Sequence, residues 1–330
     1  MDTSIPYYED KTRISNSNIG WFLQKGPAYL HKMLTEDVPE EKNLVLERGT
    51  MIHEYILQPE EFQKDYVVWD KSRPTSAQQE KFCQALASSL EIEPNRAILS
   101  AYKEAYSTAG KSEDKMLSEG LKIASTLKDY IDFLKANDGR IMISYWDYKM
   151  LEKIKQNIQS HKAANVLVSP IIGENYHEFH INWDFVVPDA IGPSLIACKS
   201  LLDSLNVDFV NKRIVIMDLK TTQKLWHFED SINQYDYLRQ LCYYTMAVKW
   251  YLKEELRQDP KDFKFEYYIV GIDTTGTYEI RVFNIKPYMV QSRESIIINA
   301  LNNIRWHQKT EKWDHSRAYY EGDGSESLNL

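Results

Sequence analysis

An aspartate and a lysine two residues apart, Asp218-Leu219-Lys220, close a nearly continuous apolar run that begins at Arg213. A run of that kind suits a buried strand. Alternation along the strand turns Asp218 and Lys220 to the same face. The triplet alone says little, because an acid also stands two residues before a lysine at Glu40, Glu113, Asp147, Asp259 and Asp262. Position sets Asp218 apart, since it ends the apolar segment Ile214 to Met217. If the preceding strand forms a hairpin that turns near Val210 and Asn211, Asp203 lies opposite Asp218. Cross-strand Cβ atoms sit roughly 5 Å apart, close enough for both carboxylates to share one hard cation. Magnesium can hold and acidify a water, and the nearby ammonium of Lys220 can orient that water and stabilise charge on the phosphorane. Two carboxylates and a lysine on a twisted hairpin are therefore suited to phosphodiester hydrolysis.

Other residues gather around this triplet in the sequence. Thr221 and Thr222 follow Lys220 and offer hydroxyls where a DNA backbone would pass. Gln240 and Tyr244 are one helical turn apart on the segment that follows, so they share a face. His53 lies on a helix expected from about Thr50 to Leu57, directly after Arg48-Gly49-Thr50.

The elements that must position these residues show in the patterning. Ser15 or Ser17 can cap a helix that Gly26-Pro27 breaks, and a second helix carries Tyr29 and Leu30. Tyr66 to Val68 reads as a brief strand. From about 70 to 144 a polar, largely helical stretch with Phe82, Leu86, Leu117 and Leu121 at helical spacing reads as an insertion into one domain spanning 1–330. Tyr145 to Val168 forms one amphipathic helix by its spacing. Strands are expected at Phe179–Val187, around Leu195–Leu205 and at Arg213–Leu219, followed by a helix at Ile232–Leu256. Two more strands, Phe263–Ile272 and Tyr278–Ile285, lead to a helix at Pro287–His307. The segment beyond Tyr320 is expected to fray. This order implies an α/β (α+β) fold, a mixed central sheet flanked by helices.

The 330 residues are 43% hydrophobic and 27% charged, ordinary for a soluble globular protein. No apolar run approaches the roughly 20 residues that span a bilayer. The first residues carry no basic, apolar leader, so a cytoplasmic location is expected. Cys83, Cys198 and Cys242 are far apart and form no C-x-x-C pair, which argues against a disulfide framework, a zinc ribbon or an iron–sulfur cluster. The net charge of -8 is unfavourable for phosphate affinity. A local groove can still be basic, and a carboxylate-lined metal site itself contributes negative charge.

The ordered set of motifs resembles the PD-(D/E)XK nuclease superfamily, and within it the RecE-like exonucleases (exodeoxyribonuclease VIII) related to RecB nuclease domains and lambda exonuclease. The matching pieces are Ser15-x-Ser17 with Gly26-Pro27-x-Tyr29, and Arg48-Gly49-Thr50-x-x-His53 with Leu57-Gln58-Pro59-Glu60. Cys198-Lys199 through Asp203, Asp218-Leu219-Lys220-Thr221-Thr222 and Gln240-x-x-x-Tyr244 follow in order. The resemblance implies a restriction-endonuclease-like core, with His53, Asp203 and Asp218 as ligands of Mg²⁺, for which Mn²⁺ can substitute, and Lys220 as the catalytic lysine. It makes Gln240 and Tyr244 the helical pair that supports the site and contacts DNA, matches Glu178 to an acid upstream of the first aspartate, and sets Arg48 in a DNA-facing motif. It further implies 5′-to-3′ digestion of duplex DNA in phage-type recombination, beside a single-strand annealing protein, by a ring of identical copies. A RecB-like single-strand nuclease, a nicking endonuclease and a non-catalytic DNA-binding module are the alternatives. The chain departs from the pattern at Leu201-Leu202, where relatives tend to have arginine and proline. A literal Pro188-Asp189 competes for the first carboxylate, but Asp189 falls in an expected turn, so Asp203 is preferred. Gly26 stands where iron–sulfur relatives have a cysteine.

Overall fold

The computed structural model describes residues 5–38, 44–136, 139–187 and 194–325. The chain divides into two compact units, Met1–Pro59 with Leu151–Leu330, and Glu60–Met150. Along the chain run α1 (Asn16–Thr35), α2 (Leu44–Leu57), α3 (Pro59–Asp65), β1 (Tyr66–Trp69), α4 (Ala77–Ala87), α5 (Pro94–Ala105), α6 (Glu113–Thr126), α7 (Lys128–Lys135) and β2 (Ile141–Ser144). Then come α8 (Tyr145–Ser160), α9 (Lys162–Val168), β3 (Glu174–Val187), β4 (Ser194–Asp208), β5 (Arg213–Thr222), α10 (Phe228–Gln234) and α11 (Tyr237–Glu254). The chain finishes with β6 (Lys264–Asp273), β7 (Ile280–Ile285), α12 (Pro287–Gln291), α13 (Glu294–Thr310) and α14 (Arg317–Glu321).

The smaller unit pairs β1 with β2 in parallel and packs α4 to α7 around Phe82, Ile98, Tyr102, Met116 and Ile131. The expected insertion at 70–144 lies within its bounds. In the larger unit a five-stranded mixed sheet runs β3-β4-β5-β6-β7, antiparallel throughout except for the parallel pair β5–β6. A parallel neighbour requires a crossover, and α10 and α11 supply it. The fold is therefore α+β, as its patterning indicates. Ile214, Ile216 and Leu219 of β5 are buried completely, the burden expected of a central strand. Helix α11 packs against β3, β4 and β5. Its Tyr243 ring meets Trp183 at 5.1 Å.

Three expected helices are each divided in two. The long amphipathic segment breaks between α8 and α9 at His161, whose ring nitrogen caps α9 by accepting from Ala164 N. Ile232–Leu256 is interrupted at Asp236, which adopts φ 47 and ψ 55. Aspartate tolerates that left-handed conformation better than most residues. Its carboxylate is held by Arg293 Nε at 2.8 Å and faces Arg239 Nε at 3.5 Å. Pro287–His307 divides between α12 and α13 at Ser292 and Arg293. Conversely, the expected break at Gly26-Pro27 is a kink within α1, where Gly26 takes φ 83.

Long-range ties secure the N-terminal segment to the sheet. Ile14 bridges Cys198 in parallel and accepts the Tyr243 hydroxyl at its carbonyl. Arg239, 5% exposed, donates to Asn16 O and Oδ1. Buried Lys199 donates to the carbonyls of Tyr7 and Asp10. Among the described residues no helix is long and apolar enough to cross a membrane. The end of the tail, 326–330, and Asp189 lie outside the described residues.

Candidate active site

The β4–β5 hairpin turns through 209–212, after the pair Asp208↔Arg213, and its ladder stops at Ser204↔Met217. The next residues in register are Asp203 and Asp218. No backbone pair forms there; instead Asp203 Oδ2 accepts the Leu219 N–H at 2.7 Å. A side chain has replaced a ladder carbonyl, and the strands part at the acids. On the other side of β4 the register passes from His177↔Ser204 to Phe179↔Leu202, which puts Glu178 across from Asp203. Glu178 takes φ 47 and drops out of the pairing. A non-glycine residue at positive φ inside a strand is a local strain and often marks a functional position. Glu178, Asp203 and Asp218 thus form a row across three adjacent strands.

Helix α2 brings His53 to this row. His53 Nδ1 is 3.6 Å from Asp203 Oδ2. Ligand atoms of His53, Glu178 and Asp203 all lie within 4.8 Å of one another. The close approach of α2 depends on Gly49, where a Cβ would stand 3.3 Å from Thr221 Oγ1. Asp218 is 1% exposed; its Oδ2 lies 2.6 Å from Lys220 Nζ, while Oδ1 has no hydrogen-bond partner among the described residues. Lys220 Nζ also lies 5.2 Å from the centre of the Tyr237 ring.

Burial and crowding of like charges set the protonation states. Glu178 is pushed up to about 8, first by burial and then by Asp203 and Asp218. Asp218 rises to about 6 through burial, against the pull of Lys220. Asp203 rises for the same reason. Burial alone would discharge Lys220, but Asp218 and Asp203 outweigh it and hold the ammonium above its ordinary range. Burial and the neighbouring Lys220 depress His53 to about 4, so its imidazole is neutral near pH 7 and has a lone pair to offer.

The remaining sequence candidates fall into two places. Arg48, Thr221 and Thr222 line a cavity of about 180 Å³ with Gly49, Gln223 and Thr274. Gln240 and Tyr244 sit on α11; Tyr244 is 7% exposed and its hydroxyl accepts from Gln240 Nε2 at 2.8 Å. Burial first, and then the charges of Asp218 and Asp203, raise the Tyr244 hydroxyl well above its ordinary range. Residue-level reasoning passed over three neighbours. Glu54 adds its charge to the field at Glu178. Tyr7, whose hydroxyl meets Ser15, also feels Glu178. Tyr237 stands over Lys220. Only Tyr237 carried a sequence signal, because Tyr237, Gln240 and Tyr244 recur at i, i+3 and i+7 on one helical face.

No protein-family model and no curated protein matches the chain. Among solved structures, one from Eubacterium rectale, described as a putative exonuclease, is 13% identical, covers all of this chain and 95% of its own, and superposes with a TM-score of 0.49. A second, SSO0001, is 12% identical over 74% of this chain and 94% of its own, with a TM-score of 0.24. Likenesses this distant carry nothing about the reaction, so its chemistry rests on the geometry above.

Proposed function

We propose that this chain is a metal-dependent DNA nuclease that hydrolyses phosphodiester bonds of duplex DNA from an end, 5′ to 3′, in phage-type recombination. The observation that carries the proposal is the row Glu178, Asp203 and Asp218 beside His53 and Lys220, where the β4–β5 ladder opens. The donor set fits a divalent cation. Two buried carboxylates, Asp203 and Asp218, and the half-buried Glu178, all with raised pKa values, leave a deficit of positive charge; among the described residues Asp218 Oδ1 lacks a partner, and His53 is neutral. His53, Glu178, Asp203 and Asp218 would hold it, and carboxylate oxygens suit Mg²⁺, with Mn²⁺ as substitute. Such an ion supplies Lewis acidity toward the phosphate and lowers the pKa of water.

The chain's own groups do the rest. Lys220, kept charged by Asp218, places an ammonium where negative charge grows on the phosphoryl oxygens. Leu219 N–H fixes the rotamer of Asp203, and strand pairing fixes Asp218 in turn. Gln240 and Tyr244 close the site on the α11 side. Arg48 and the Thr221 and Thr222 hydroxyls offer contacts for the DNA backbone beyond it. Linear duplex labelled at either the 5′ or the 3′ end, incubated with Mg²⁺ or EDTA, tests the proposal. Mg²⁺-dependent release of the 5′ label first is the expected result. Label released in EDTA, or no degradation of linear or nicked DNA with any divalent metal, refutes it.

A further inference from the structure

A line of aromatic rings runs from Lys220 to the protein surface. Tyr237, which stands over the Lys220 ammonium, stacks with Tyr235 at 5.7 Å and 24°. It also stacks with Phe228 at 5.9 Å and 29°, and Phe228 stacks with Phe283 at 4.9 Å and 20°. The Arg281 guanidinium then bridges Phe283, at 5.2 Å, and Trp226, at 4.8 Å. Its Nη1 donates to Leu225 O at 3.3 Å, which fixes the guanidinium against the Trp226 loop. The interior of the line is structural: Phe228 is 1% exposed. Its two ends are not. Trp226 is 71% exposed and Tyr235 is 55% exposed.

The geometry points to Tyr235 and Trp226 as a stacking platform for unpaired bases of the strand whose phosphate is presented to Lys220. The inference rests on the nuclease proposal for its substrate and adds which part of that substrate is gripped. A base offers a π-face whatever its identity, so exposed rings bind a single strand without reading sequence, provided that cations nearby meet its phosphates. Tyr235 is one ring beyond the residue lying over Lys220, so a base on it belongs to a nucleotide next to the reacting one. Arg281 and Lys224, two residues before Trp226, supply positive charge at the other end. Glu229 and Asp230 occupy the first turn of α10, where carboxylates favour the helix start. A base-paired nucleotide keeps its faces against its duplex neighbours, so the platform takes only frayed or single-stranded DNA.

The test measures binding in EDTA, which separates it from turnover. Anisotropy of a labelled oligothymidylate is compared with an abasic strand of equal length and with a blunt duplex. The wild-type protein should bind oligothymidylate several-fold more tightly than the abasic strand, whose phosphates are the same. Trp226→Ala and Tyr235→Ala should each weaken oligothymidylate binding about tenfold and leave abasic and blunt-duplex affinity unchanged, while Tyr235→Phe retains wild-type affinity. Equal binding of abasic and thymidylate strands by the wild type overturns the platform, and that comparison stands even if a variant folds poorly. Unchanged affinity in both alanine variants, or equal losses on all three probes, also overturns it. Cleavage with Mg²⁺ but no preference for bases would refute the platform and keep the nuclease; base preference without cleavage under any metal would do the reverse.

Discussion

The buried acids make a prediction about stability that needs no DNA. Glu178 has an ordinary value of 4.5 and a folded value of about 8. Between those values the folded chain binds more protons than the unfolded one, so the free energy of unfolding falls as pH rises. Below 4.5 there is no penalty, and above 8 it is complete. At pH 7 it amounts to up to about 3 kcal/mol, each pK unit being worth about 1.4 kcal/mol. For a chain of this size that is roughly 6 °C in melting temperature, at about 2 °C per kcal/mol. Glu178→Gln keeps the shape of the side chain and removes the titration. Without metal, the variant should melt up to roughly 6 °C above wild type at pH 7 and level with it at pH 4.5. A cation held by the acids offsets the same repulsion, so Mg²⁺ at about a hundred times its Kd should stabilise wild type by about 2.7 kcal/mol at pH 8, and much less at pH 5. Differential scanning calorimetry of both proteins at three pH values, in EDTA and in Mg²⁺, reads all of this. Parallel pH curves for wild type and Glu178→Gln would refute the crowding of charge at Glu178. An identical Mg²⁺ response in the two proteins would remove Glu178 from the metal site.

Lys220→Ala should reduce cleavage by about 10²-fold or more and leave DNA affinity near wild type, because its ammonium acts on charge that develops in the transition state; near wild-type turnover would sink that role. Asp203→Asn should weaken metal binding, measured by titration calorimetry, and Asp189→Asn should be mild; the reverse ranking would move the first carboxylate to Asp189. His53→Ala should lose Mg²⁺-supported activity and recover part of it in excess Mn²⁺, whereas a lower melting temperature with an unchanged Mn²⁺/Mg²⁺ activity ratio would make His53 a packing residue only.

The hairpin was legible because its information is local. An apolar run ending in Asp218 and a turn near Val210 set the register, and 209–212 is the turn observed. Period-2 alternation then does the rest. Asp236 was illegible for the opposite reason. Its left-handed backbone is held by Arg293, 57 residues away, and nothing in the segment Ile232–Leu256 announces that partner. Glu178 was accessible only through the family resemblance, since an expected strand beginning at Phe179 excludes it and alternation cannot foresee φ 47. The site's electrostatics were legible in kind but not in degree: the sequence supplies the acids, while the raised values come from burial that only the packed sheet creates.

The ties of the N-terminal segment have a consequence for how the chain acquires this structure. Lys199 reaches back 192 residues to Tyr7, Arg239 reaches 223 to Asn16, and Tyr243 reaches 229 to Ile14. At a synthesis rate of ~5–20 residues per second, residues 7–16 wait roughly 10–45 s in the nascent chain before those partners emerge. Contacts so distant in sequence close late and slow folding. Throughout that interval Ile14 and Ile19, wholly buried in the finished molecule, are exposed on a ribosome-bound chain. Capture by a holdase, or a pause in translation between β4 and α11, would therefore change the yield of native protein without altering a single side chain.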